Sequence, residues 1–99
     1  MAFKERVAEK TRQKLKEPPM YKVLLHNDDY TTMEFVVHIL MLVFHKPVEE
    51  ATQIMLNVHR KGIGVCGVYT KEIAETKVAS VAALAKQHEF PLKCSYEEA

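Results

Sequence analysis

Met20-Tyr21-Lys22-Val23-Leu24-Leu25-His26-Asn27-Asp28-Asp29-Tyr30-Thr31-Thr32-Met33-Glu34-Phe35-Val36 holds a strand, a turn and a helix start in one short run. Met20 to His26 combines β-formers with enough apolar content for a buried strand. Asn27-Asp28-Asp29-Tyr30 ends it, because Asn and Asp side chains bond their own backbone and favour turns. Thr31 with Glu34 three residues later is a capping box, which predicts a helix through about Phe44. From Met33 to Phe44 that helix is apolar nearly all round. It must be covered on several sides or leave apolar surface for a ligand.

The elements beyond this run follow from local signals. Lys46-Pro47 ends the first helix and opens a second, with Pro47 in its first turn and Glu49-Glu50 near the positive end of its dipole. Arg60 and Lys61 sit in the last turn, and Gly62 is the natural left-handed cap. Ile63 to Tyr69 reads as a strand in which Gly64 and Gly67 allow bends or close approach. Thr70 can cap a third helix from Lys71 to about Gln87, with Ile73, Ala74, Val78, Val81, Leu84 and Ala85 as its expected buried stripe. Pro91 breaks it, and Leu92 to Tyr96 is a last short strand. The order β-α-α-β-α-β predicts an α+β fold, one mainly antiparallel three-stranded sheet packed with three helices.

Residues 1–17 alternate charges with isolated apolar side chains and then meet Pro18-Pro19, which disfavours helix. The reading is a mobile arm over 1–17 and one domain over 18–99. The arm carries six basic and three acidic groups, net +3, and the rest carries eight and ten, net −2. A basic footprint for a phosphate backbone is therefore missing from the domain, and no nucleic-acid partner is expected. With 99 residues there is room for one core and no second domain. No apolar run reaches signal-peptide or membrane-span length, so a cytoplasmic protein without a membrane partner is expected. Cys66 and Cys94 form no spaced metal or redox motif and read as small buried hydrophobes in a reducing compartment.

Asn27-Asp28-Asp29 is the most polar cluster of the folded part. Its residues are turn formers, and its adjacent carboxylates are also a natural site for a cation. A divalent metal fits poorly, since Ca²⁺ wants roughly six to eight oxygens in a spaced loop. His59 lies one turn after Met55 with Val58 beside it, so the pair offers an apolar floor and a polar edge. The other histidines show no ligand spacing. Cys66 in Gly64-Val65-Cys66-Gly67 is the one tempting nucleophile, but its place in an apolar strand favours a structural role.

The chain resembles the ClpS adaptors, which deliver proteins carrying certain N-terminal residues to the Clp AAA+ unfoldase and protease. The resemblance is carried by Pro18-Pro19-Met20-Tyr21-Lys22-Val23, Asn27 to Val36, Met55-Leu56-Asn57-Val58-His59, Gly64 to Thr70, Glu72 to Val78 and Phe90-Pro91-Leu92, in family order over residues 18–99. It departs at Thr32, where the family commonly has Pro.

The resemblance implies a ClpS-like fold, similar to the C-terminal domain of the ribosomal stalk protein, and a non-enzymatic monomer without cofactor or metal. It implies that the client's free α-amino group is bound at Asn27, Asp28, Asp29 and His59. The first side chain, Phe, Leu, Tyr or Trp, would enter a pocket of Met33, Val36, Met55, Val58 and Leu92, with Ile39 and Thr31 nearby. Met33 would act as a gate against β-branched residues. Tyr69, Glu72 and Lys77 would contact the N-terminal domain of the unfoldase, and the arm would engage its channel. Two other readings compete: a small hydrolase using Asp29 and His59, which lacks a nucleophile and a metal set, and a ribosome- or RNA-associated module, which the charge of the domain disfavours.

Overall fold

β1 (Met20–His26) is the central strand of a three-stranded sheet, paired antiparallel with β2 (Ile63–Thr70) on one side and β3 (Lys93–Glu98) on the other. Three helices complete the order β-α-α-β-α-β: α1 (Met33–Leu42), α2 (Val48–Lys61) and α3 (Lys71–Gln87). The computed structural model describes residues 18–99, and the arm expected over 1–17 lies outside them. The α+β reading and the order of elements agree with this architecture.

Central placement explains why β1 is so apolar, since flanking strands and helices enclose it. Val23 and Leu25 turn into the core with Ile39, Leu40, Val58 and Val81. Leu24 lies on the other face, between Val65 and Ser95 on the neighbouring strands, and is still only 6% exposed. A bulge between Val23 and Leu24 offsets the β1–β2 register.

Several boundaries differ from the sequence reading. α1 is capped by Thr32, whose hydroxyl accepts from the Phe35 N–H at 3.1 Å, and not by Thr31. The reason is local competition, because the Thr31 hydroxyl donates to Asp28. The regular helix ends at Leu42, short of Phe44. Pro47 takes the cap position of α2 ahead of its first turn, and Thr70 occupies the cap of α3 without a side-chain bond. Gly62 adopts φ 85° at the end of α2, the left-handed cap expected of it. In α3, Ala74, Val81 and Ala85 are buried, but Ile73 is 48% exposed and falls outside the core stripe. The last strand starts at Lys93, which leaves Leu92 in the irregular segment before it, buried against the core.

Both cysteines are free thiols. They stand on β2 and β3 with β1 between them, so two strand spacings, roughly 9–10 Å, separate their backbones. That exceeds the roughly 7 Å a disulfide can span.

Candidate functional site

The turn after β1 is held from two directions. The Asn27 N–H donates to the Gly62 carbonyl at 2.9 Å, and the Gly62 N–H donates to Val58 at 2.9 Å. This stitches the end of β1 to the last turn of α2, where His59 stands. Asn27 and His59, 32 positions apart in the chain, therefore line one cavity.

Asp28 organises the remainder of the turn. Its Oδ1 accepts from the Tyr30 N–H at 2.8 Å and the Thr31 N–H at 2.7 Å, and its Oδ2 accepts from the Thr31 hydroxyl at 2.7 Å. Partial burial works to raise the Asp28 pKa, but these hydrogen bonds outweigh it and hold the carboxyl below its ordinary value. Asp29, by contrast, is exposed and makes no side-chain hydrogen bond or ion pair among the described residues. The two carboxylates thus divide: one is spent on the loop, the other is available.

The cavity they border encloses about 240 Å³. Asn27, Asp28, Asp29 and Thr31 supply its polar side from the turn. α1 contributes Met33 and Val36, while α2 contributes Met55, Val58 and His59. Val36 and Val58 are buried, whereas Met33 is 45% exposed at the rim. Close approach of α2 to the sheet holds this floor in place. A Cβ on Gly64 of β2 would lie 2.6 Å from a methyl of Val58, so only glycine fits there without displacing the wall.

Two expected pocket residues do not line the cavity. Ile39 is fully buried and Leu92 is 6% exposed, and both belong to the core cluster that also holds Val36, Met55 and Val58. Among the residues expected on the second surface, Glu72 and Lys77 line a groove of about 620 Å³ between the end of α1 and α3. Tyr69 stands beside it, its ring centroid 6.4 Å from that of Phe44. Burial, with Cys66 adding to it, pushes the Tyr69 phenol above its ordinary pKa. Sequence reasoning missed Leu42, His45 and the open position of Ile73 as parts of this groove. The available signal was the all-apolar character of α1, whose Leu42 is 51% exposed.

Cys66 is 1% exposed, and burial pushes its thiol well above the usual range. Burial also pushes Cys94 up to about 12. Among the described residues, no three His, Cys, Asp or Glu side chains are placed to hold a metal ion. No described helix is long and apolar enough to cross a membrane.

The family described as ATP-dependent Clp protease adaptor protein ClpS matches residues 16–95. The ATP-dependent Clp protease adapter protein ClpS of Syntrophus aciditrophicus (strain SB) is 65% identical over 85 residues, which cover 86% of this chain and 79% of that one. That of Desulforapulum autotrophicum is 56% identical over 97 residues, covering 98% and 93%. A solved structure of Agrobacterium tumefaciens ClpS2 bound to L-phenylalaninamide superposes with a TM-score of 0.81 at 40% identity, over 84% of this chain and 100% of that one. Matched in family pattern over most of its length and in the layout of sheet and helices, the chain belongs to the ClpS family of adaptor proteins of the ATP-dependent Clp protease.

Proposed function

We propose that this adaptor captures proteins through their first residue, Phe, Leu, Tyr or Trp, and hands them to a Clp AAA+ unfoldase without itself catalysing a reaction. The observation that carries the reading is a cavity in which free polar acceptors adjoin an apolar floor. An α-amino group has a pKa near 7.7–8.0 and is mostly cationic at neutral pH, so it needs acceptors in a fixed arrangement. Asn27, Asp29 and a neutral His59 can supply them, while Asp28 holds the turn that presents them. The side chain attached to the same carbon then meets Met33, Val36, Met55 and Val58.

Size supports a single side chain as the occupant. The cavity's roughly 240 Å³ falls below the roughly 300–1,000 Å³ of pockets for drug-sized ligands. The solved relative is bound to L-phenylalaninamide, a molecule with a free amine and one aromatic side chain. Ile39 and Leu92 belong to the same core cluster as Val36, Met55 and Val58 and pack with that floor.

The groove bearing Glu72 and Lys77, with Tyr69 at its side, is the proposed contact for the N-terminal domain of the unfoldase. The arm 1–17 is proposed to engage the unfoldase channel, and the adaptor is proposed to work as a cytoplasmic monomer. Fluorescence anisotropy with labelled peptides that differ only in their first residue (Phe, Leu, Ile, Ala), plus an N-acetylated Phe peptide, tests the central claim. Binding of Phe and Leu that acetylation abolishes is the expected result. Indifference to acetylation overturns it.

A further inference from the structure

The two apolar walls of the pocket stand on different helices, Met33 and Val36 on α1, Met55 and Val58 on α2. The short connection between those helices, residues 43–47, joins them at the end away from these walls and acts on their relative placement together with the direct packing of the two helices and the approach of α2 to Gly64. That connection turns through His45 in the left-handed region at φ 55°, an unfavourable conformation for a residue with a Cβ. The Lys46 N–H, donating to Leu40 at 3.1 Å, closes the turn from within.

From outside it is gripped by α3 and β2. The Lys77 ammonium donates to the Val43 carbonyl at 2.6 Å. α1 has no basic residue in its own last turn, so Lys77 is the cation that its negative end favours. The same ammonium lies 5.7 Å from the centre of the Tyr69 ring, which in turn packs near Phe44. Lys77 is also part of the wall of the large groove on the far side of the connection. One half-buried side chain thus touches both the groove and the connection between the two helices that carry the pocket walls.

We infer that Lys77 is a positioning residue for the pocket, a clamp on the α1–α2 connection through which an acidic side chain seated in the groove alters client binding. The inference rests on the amine-pocket reading above. A lysine ammonium carries three donors, and Val43 takes one. A carboxylate arriving in the groove takes a second donor and, as the stronger acceptor, decides where the ammonium sits, so the bond to Val43 is stretched or bent. The connection then keeps the Lys46 N–H bond to Leu40, the Val43 N–H bond to Ile39, the Lys46–Glu50 pair and the packing of Val43 and Phe44, but loses its one tie to α3 through a side-chain hydrogen bond. By linkage, filling the pocket must bias the clamp as strongly as the groove biases the pocket.

Two measurements test this. In the unaltered chain, saturation with the labelled Phe peptide should shift the amide resonances of Val43, Phe44 and Lys46 as well as those lining the pocket. In variants, Lys77→Met should weaken Phe-peptide binding by about fivefold or more, the lower edge of ordinary coupling between sites. Lys77→Arg, which restores a cationic donor, should recover most of it. Val81→Ala, which loosens the core of α3 away from the connection, should lower the melting temperature and leave the affinity alone. Binding by the unaltered chain with silent connection resonances overturns the clamp and leaves the pocket intact. An unchanged affinity in Lys77→Met, or an equal loss in Val81→Ala, does the same. Failure of the unaltered chain to bind any peptide removes the pocket reading and the clamp together.

Discussion

Replacing each carboxylate of the Asp28-Asp29 pair in turn separates two roles that adjacent residues of the same type conceal. Asp28→Ala removes the acceptor for two backbone N–H groups and one hydroxyl. These bonds resemble a helix N-cap in kind, and loss of such a cap costs about 0.5–2 kcal/mol. With three bonds lost at a partly buried position, about 1–2 kcal/mol is expected. In a domain of this size that is a fall of roughly 5–15 °C in melting temperature. Affinity for a Phe peptide falls with it, because the turn carrying Asn27 and Asp29 loses its shape. Asp29→Ala removes no internal bond, so stability should stay within about 0.5 kcal/mol of the parent, as for ordinary surface changes. Its cost falls on binding. A charge-assisted hydrogen bond to the client's ammonium is worth about 1.5–3 kcal/mol when desolvated. The rim is open, so the lower end applies, about tenfold in Kd. Thermal unfolding followed by circular dichroism, with anisotropy on the same samples, reads both quantities. Asp29→Ala with parental affinity, or Asp28→Ala with parental stability, would refute the division of roles.

Other expectations follow from the same geometry. Met33→Ala, at the exposed rim, should admit Ile and Val peptides, since a β-branch is stiff beside the backbone and collides earliest; equal discrimination by both proteins in the anisotropy assay counts against the gate. Gly64→Ala should cost about 1–3 kcal/mol in chemical denaturation and weaken Phe binding, because its methyl group would displace Val58; unaltered stability and affinity together would show the wall to be pliable. The depressed Asp28 pKa means that its contribution to stability is present above the unfolded value, near 3.8, and is lost as pH falls through the folded one. Asp28→Asn should therefore lose less stability between pH 5 and pH 2 than the parent, and parallel melting curves over that range would contradict the assignment.

The helix limits show what kind of information a local run can carry. Gly62 and Pro47 mark their boundaries because the backbone itself, through a left-handed φ or a fixed φ, imposes them. Thr31 and Thr32 could each cap α1 equally well by chemistry. The choice fell to Thr32 because Asp28 had already engaged the other hydroxyl. Ile73 shows the opposite limit. Its spacing fits the buried stripe of α3, yet the angle at which that helix lies on the sheet leaves it in the groove. Ile39 and Leu92 are as apolar and as buried as Val36, and only packing decides which of them line the cavity.

Periodicity, turn formers and caps determined the elements and their order, since each depends on contacts within a few residues. The quoted motifs determined the family and the candidate residues Asn27, Asp28, Asp29, Met33, Met55 and His59. What only the tertiary structure decided was their assembly: Asn27 beside His59 through the Gly62 carbonyl, Val58 pressed on Gly64, Lys77 on the carbonyl of Val43. These are contacts between residues far apart in the chain. They depend on how strands register and helices lie across the sheet, which no single stretch of sequence specifies.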